Sequence, residues 1–207
     1  MSDKAVHVVG ILWSGINERN FFELSWTLER HNTLLDSFVP LTFIGNHDVT
    51  RIASRIADER HLPHALVVLL ATGGMPCIYY GDEQAFRGIK EDRAGGDDAI
   101  RPAFPASPDD LAPYGWSIYR LHQTLIGMRR RHPWLHRART HLLSLSNTQF
   151  VYEAFGSDQR ITVALNLGDD VLRVRNSEAV VVLAASDGAA IDQGQVLVPG
   201  HGWAVLQ

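Results

Sequence analysis

Phe43-Ile44-Gly45-Asn46-His47-Asp48 and Pro76-Cys77-Ile78-Tyr79-Tyr80-Gly81-Asp82-Glu83 share one shape. Each is a short apolar run that begins after a proline, Pro40 or Pro76, and stops at acids. Between them, Leu62, Ala65, Leu66, Leu69 and Leu70 recur at i, i+3, i+4, i+7 and i+8, the spacing of one helix face. Pro63 suits the first turn of that helix, and Gly73-Gly74 suits its C-terminal stop. Residues 40–81 therefore read as strand, helix, strand, with strands over 40–45 and 76–80, the repeating unit of a parallel sheet. Near-continuous apolar strands are expected where both sheet faces are covered. Cys77, in mid-strand among apolar neighbours, then reads as an inert buried thiol.

Working outward, a helix over about 20–38 carries Phe21, Leu24, Leu28 and Leu35 on one stripe. Another over about 115–131 turns Ile118, Leu121, Leu125 and Met128 inward, with Pro133 just beyond its basic end. The texture then changes. Residues 140–145, 149–155, 160–166, 171–175, 180–183, 195–198 and 203–206 read as short strands. Gly156-Ser157-Asp158, Gly168-Asp169-Asp170 and Asp187-Gly188 punctuate them. Strands at that spacing suggest a small antiparallel sandwich. The expectation is an α/β portion over 1–136 followed by an all-β domain over 137–207.

Composition narrows the function. Over 207 residues, Lys and Arg number 19 against 23 Asp and Glu, a net charge of -4. Such a surface has no general attraction for nucleic acid or an anionic membrane, and neither partner is expected. One cysteine excludes an internal disulfide. The longest apolar run, 65–71, is far short of the ~20 residues a spanning helix needs. The N-terminus lacks the order of a secretory signal, and a cytoplasmic location is expected.

In parallel α/β folds the reactive groups collect at the carboxyl ends of strands. The first strand stops at Asn46-His47-Asp48 and the second at Gly81-Asp82-Glu83. Paired carboxylates suit glycoside hydrolysis, where one acts as acid and another as nucleophile or stabiliser of an oxocarbenium-like state. Asn-His-Asp read alone is equally a polar turn that caps the next helix.

The longer stretches separate the two readings. Residues 43–48 resemble the strand-seven signature of the α-amylase superfamily of glycoside hydrolases, and residues 74–83 resemble its strand-eight signature, in the family's order. Arg51, three residues after Asp48, matches a frequent family position. Residues 125–135 resemble the last barrel helix, and residues 150–167 with 202–206 resemble the C-terminal β-domain. The resemblance implies the C-terminal portion of a TIM (β/α)8 barrel followed by a small all-β sandwich. It implies a retaining enzyme, hydrolase or transglycosylase, acting on an α-glucan or α-glucoside. Asp48 would be the acid that stabilises the transition state, and His47 and Arg51 would bind substrate. No cofactor and no metal is expected.

Two departures matter. A full barrel takes about 250 residues, roughly twice what precedes the β-like region. No counterpart appears of the strand-four nucleophile aspartate, the strand-five general acid or the strand-three aspartate-histidine pair. Asp82 and Glu83 fall where the family has local support, so the chain alone is expected to be inactive. An open half-barrel leaves strand edges unpaired, so a separate N-terminal half, self-association or aggregation is expected. The alternative is a non-catalytic carbohydrate-binding or interaction module derived from the fold.

Other clusters read more plainly. The charged stretch 87–105, with Asp97 and Arg101, would follow strand eight and either contacts sugar or is a solvated insertion. His132, His136 and His141 have Pro133 among them, which breaks the helical face a metal would need. His61 and His64, flanking Pro63, read as surface residues, and Arg129, Arg130, Arg131, Arg137 and Arg139 as solvated arginines near a helix end.

Overall fold

The structure is a computed structural model and describes residues 12–110, 113–175 and 181–207. After a helical segment over 12–17, the elements are α1 (Phe22–Leu35), β1 (Leu41–Thr42), α2 (Ile52–Arg55), α3 (Leu62–Ala71), β2 (Met75–Pro76) and α4 (Trp116–Arg131). The strands β3 (Arg139–Leu145), β4 (Gln149–Phe155), β5 (Arg160–Asn166), β6 (Leu172–Arg175), β7 (Val182–Ala185), β8 (Ala190–Asp192), β9 (Gln195–Val198) and β10 (Trp203–Leu206) follow. Among the described residues, no helix is long and apolar enough to cross a membrane.

β1 and β2 pair in parallel, Leu41 opposite Met75 and Thr42 opposite Pro76, with α3 on the chain between them. The strand–helix–strand reading holds, but both strands are shorter than expected. Each has only the other as a partner among the described residues, and a ladder extends only where neighbours take its hydrogen bonds. Leu41 and Met75 are exposed, which corrects the expectation of strands covered on both faces. Cys77 lies beyond β2 and is exposed, not buried.

α3 is apolar around nearly its whole circumference, and every residue but Pro63 is buried. Such a helix needs cover on all sides. α4 supplies Leu125 and Met128, and β5 and β10 supply Val163, Leu165 and Trp203. The end of α3 is closed by Arg129, whose guanidinium donates to the carbonyls of Leu70 (2.9 Å), Thr72 (2.8 Å) and Gly74 (2.6 Å). Burial lowers its pKa to about 10. Of the arginines read as solvated, this one is therefore a structural bolt.

The antiparallel sheet β3-β4-β5-β10-β7 is the middle layer. Its strands alternate with period 2. Phe150, Tyr152, Ala154, Ile161, Val163, Leu165, Trp203 and Val205 join the core shared with the helices. Val151, Ala164, Ala204 and Leu206 face a second core with Leu172, Val174, Val196 and Val198 of the sheet β6-β9-β8. Two sheets thus pack face to face, and the larger also carries the helices. The short strand β8 escaped the sequence reading because none of its three residues is buried.

His31 of α1 is buried and its Nε2–H donates to the carbonyl of Gly73 at 2.8 Å, tying α1 to the turn before β2. Burial lowers its pKa, against the pull of that bond. The folded chain then binds fewer protons than the unfolded chain below the ordinary histidine value of 6.5. Stability is expected to be full above that value and to fall as the pH drops through it. Urea midpoints at pH 7.5 and 5.5 check this. His31→Gln, which keeps a donor, should shrink the difference, and an unchanged difference contradicts the assignment.

Candidate active site

Asn46, His47 and Asp48 follow β1, and Gly81, Asp82 and Glu83 follow β2, so the parallel pair brings both acid-bearing turns to one end. The backbone N–H of Asp48 donates to Asn46 Oδ1 at 2.8 Å, an Asx turn that turns the chain out of the strand. His47 Nε2 lies 3.2 Å from Asp48 Oδ2, with 65% and 59% of the two side chains exposed. Both side chains are open to a ligand.

Below them sits a buried pair. Arg51 Nη1 donates to Asp82 Oδ1 at 3.1 Å and to the Tyr80 carbonyl. The guanidinium carbon lies 4.2 Å from the centre of the Tyr79 ring and 4.9 Å from that of Tyr80, the cation–π geometry that guanidinium favours. Burial pushes the Asp82 carboxyl up to about 6, and the bond from Arg51 pulls the other way. Gly45 permits this approach, because a Cβ there would lie 2.5 Å from Asp82 Oδ2. The Arg51 side chain has no exposed surface. Its expected contact with substrate is corrected to a place underneath the site, locking one turn to the other.

The stretch 87–105 folds over this end. The N–H of Gly88 donates to Ser54 Oγ (2.9 Å), that of Lys90 to Thr50 Oγ1 (3.0 Å), and that of Arg51 to the Gly88 carbonyl (3.0 Å). Ile100 is fully buried and anchors the far end of the stretch. Arg101 then reaches back: Nε donates to the His47 carbonyl at 2.9 Å and Nη2 to Asp48 Oδ1 at 3.1 Å. Asp97, 2.7 Å from the same Nη2, shares the cation. The loop is therefore internally ion-paired, and it also touches the expected catalytic acid. A cavity of about 700 Å3 lies elsewhere, lined by Leu62 and Pro63 of α3 and Ser117, Ile118 and Leu121 of α4, and takes in neither His47 nor Asp48.

His61 and His64 depart furthest from expectation. Both are buried, not superficial. His64 Nε2 lies 3.1 Å from the Asn166 carbonyl and 3.0 Å from that of Gly202, and burial pulls its pKa down to about 4. His61 Nε2 meets His201 Nδ1 at 2.9 Å. Pro63 does begin a helix, as read, but that helix starts against the β-rich part of the chain and not against water. The partner, His201, is remote in sequence, so no local pattern could announce it.

A family model of the alpha amylase catalytic domain matches residues 11–142, more than half of the chain. The chain belongs to that family. A cyclomaltodextrin glucanotransferase of Geobacillus stearothermophilus is 32% identical over 155 residues, 74% of this chain and 19% of that protein. Alpha-amylase 3 of Schizosaccharomyces pombe is 36% identical over 96 residues, 46% of this chain and 15% of that one. The crystal structure of alpha-amylase from H. orenii superposes with a TM-score of 0.78 at 17% identity, over 97% of this chain and 47% of that chain. CldA, a cyclomaltodextrin glucanotransferase with a three-domain ABC distribution, gives 0.69 at 25% identity, over 96% and 42%. The fold is thus that of part of an alpha-amylase family enzyme. The chain spans under a fifth of these curated relatives and under half of these solved chains.

Proposed function

We propose that this chain supplies the wall of an α-glucan-cleaving barrel that carries strands seven and eight, and that its catalytic contribution is the carboxylate of Asp48. The observation that carries this is the exposed His47–Asp48 pair at the end of β1, gripped by Arg101 and set above the buried Arg51–Asp82 pair. In a retaining reaction the nucleophile and the acid–base group stand about 5 Å apart, and on this reading both come from residues outside the chain. Asp48 accepts hydrogen bonds from hydroxyls of the sugar being cleaved. Those bonds strengthen as the ring gains oxocarbenium character, so they favour the transition state over the ground state. His47 donates to the same hydroxyls. Arg101, shared between Asp97 and Asp48, holds the carboxylate in place and is free to yield to a sugar hydroxyl. On this reading the described residues up to 136 belong to the barrel portion and those from 137 to the C-terminal β-sandwich.

Exposed Leu41 and Met75 on the parallel strands give the rest of a barrel, or a second copy, an apolar edge to cover. Incubated by itself with an α-linked chromogenic glucoside, the chain is expected to show no turnover. Sustained hydrolysis abolished by Asp48→Asn would overturn the division of roles. Saturable maltooligosaccharide binding without hydrolysis, unaffected by Asp48→Asn, would favour a carbohydrate-binding module instead.

A further inference from the structure

Where α3 begins, Asp58, His61 and His201 bring one ligand atom each to within 4.8 Å of one another. They are drawn from two distant parts of the chain: Asp58 and His61 precede α3, and His201 sits in the turn between β9 and β10. His201 holds φ 59°, a left-handed conformation that a side chain seldom adopts, and its ring lies at 25° to that of His61 with centroids 5.1 Å apart.

The hydrogen bonds fix the tautomers. Asp169 Oδ1 lies 2.8 Å from His201 Nε2. A carboxylate only accepts, so Nε2 carries the proton, and in the neutral ring His201 Nδ1 presents a lone pair. His61 Nε2 donates to that lone pair at 2.9 Å. We propose that Asp58, His61 and His201 form a binding site for a divalent first-row transition ion of the zinc type, which takes the place of the proton between the two rings. Two Zn–N bonds of ~2.05 Å at a near-tetrahedral angle set nitrogens ~3.3 Å apart, so the nitrogens must part by a few tenths of an ångström and the two rings must tilt to turn their lone pairs onto the ion. The His61 proton moves to Nδ1 of the same ring, and no redox change is involved.

Two features go beyond a chance cluster. Asp169 on the far nitrogen of His201 completes the carboxylate–imidazole–metal arrangement that orients metal-binding histidines. The ligand atoms also border a cavity of about 160 Å3, lined by Asn17, Arg19, Ala57 and Arg60 among others, with room for water as the fourth ligand. Arg60 donates to both oxygens of Asp58, so it holds the carboxylate in register and must yield part of one edge to the ion. Bound there, the ion clips the start of α3 to the β9–β10 turn. Two imidazoles and one carboxylate favour zinc-like ions over magnesium or calcium, which take all-oxygen sets.

The test is calorimetric titration of the metal-free chain with Zn2+. One equivalent should bind, and Mg2+ should give no heat. Asp58→Asn and His201→Asn should each weaken binding at least tenfold, and Asp169→Asn by about 10–100-fold through the orientation of His201. His136→Asn, at an exposed histidine, should leave binding unchanged. If a variant fails to fold, Co2+ added to the unaltered chain gives a second reading: four-coordinate absorption bands are expected, bleached by one equivalent of Zn2+. No binding below millimolar Zn2+, or equal affinity in the Asp58, His201 and His136 variants, would overturn the proposal.

Discussion

Arg51→Met is expected to remove about 3–5 kcal/mol of folding stability, the usual cost of stripping the partner from a buried charge. The residue has no exposed side-chain surface, and Asp82, its partner, is nearly as buried. Without the guanidinium, Asp82 keeps the desolvation that already lifts its pKa to about 6 and loses the bond that opposes the lift. The loss is a large share of the ~5–15 kcal/mol that holds a typical domain together, so the variant should unfold at much lower urea. A second substitution separates the charge from the packing. Arg51→Met with Asp82→Leu removes both ions and should recover most of the deficit, because an apolar pair replaces an ionic one at little net cost. An unchanged urea midpoint in Arg51→Met would show that the pair contributes nothing to the turns it joins.

Asp48→Asn tests the chemistry and not the fold. The side chain is mostly exposed, and the amide keeps its shape and still accepts one bond from Arg101, so stability should change little. What disappears is the negative charge that, under the proposed function, strengthens hydroxyl bonds in an oxocarbenium-like transition state. In an assembly with a separately made N-terminal barrel half of an alpha-amylase family member, kcat should fall on the order of 10²–10³-fold, the range for losing one preorganised stabiliser, with a smaller change in KM. A variant retaining the full rate would exclude Asp48 from the chemistry.

The sequence announced the strand–helix–strand unit because its signals are local: two apolar runs opened by prolines and one helix stopped by paired glycines. β4, β5, β9 and β10 were equally legible, since period-2 alternation and turn residues bound them closely. The double burial of β4, β5 and β10 was not, because a strand that feeds one core on each face looks the same in sequence as one lying against a single layer. His47 and Asp48 were legible as candidate residues from their place after a strand, and the structure sets both, exposed, just beyond β1. Arg51 was misjudged because spacing locates a side chain along the chain but cannot say whether it faces the mouth or the floor. His61 was misjudged for the opposite reason. Histidines beside a proline at a helix start are commonly exposed, and only the return of the chain at His201 buries this one.

The measurement that bears most directly on the whole account is reconstitution. The chain is mixed with a separately made N-terminal barrel half of an alpha-amylase family member, and the initial rate on an α-linked chromogenic glucoside is compared with that of each part alone. Neither part should turn over substrate, the mixture should, and the restored rate should vanish with Asp48→Asn while association persists. Stable association of the two parts without any hydrolysis, or hydrolysis by this chain unaided, would contradict the claim that Asp48 completes a site whose nucleophile and acid stand on another wall.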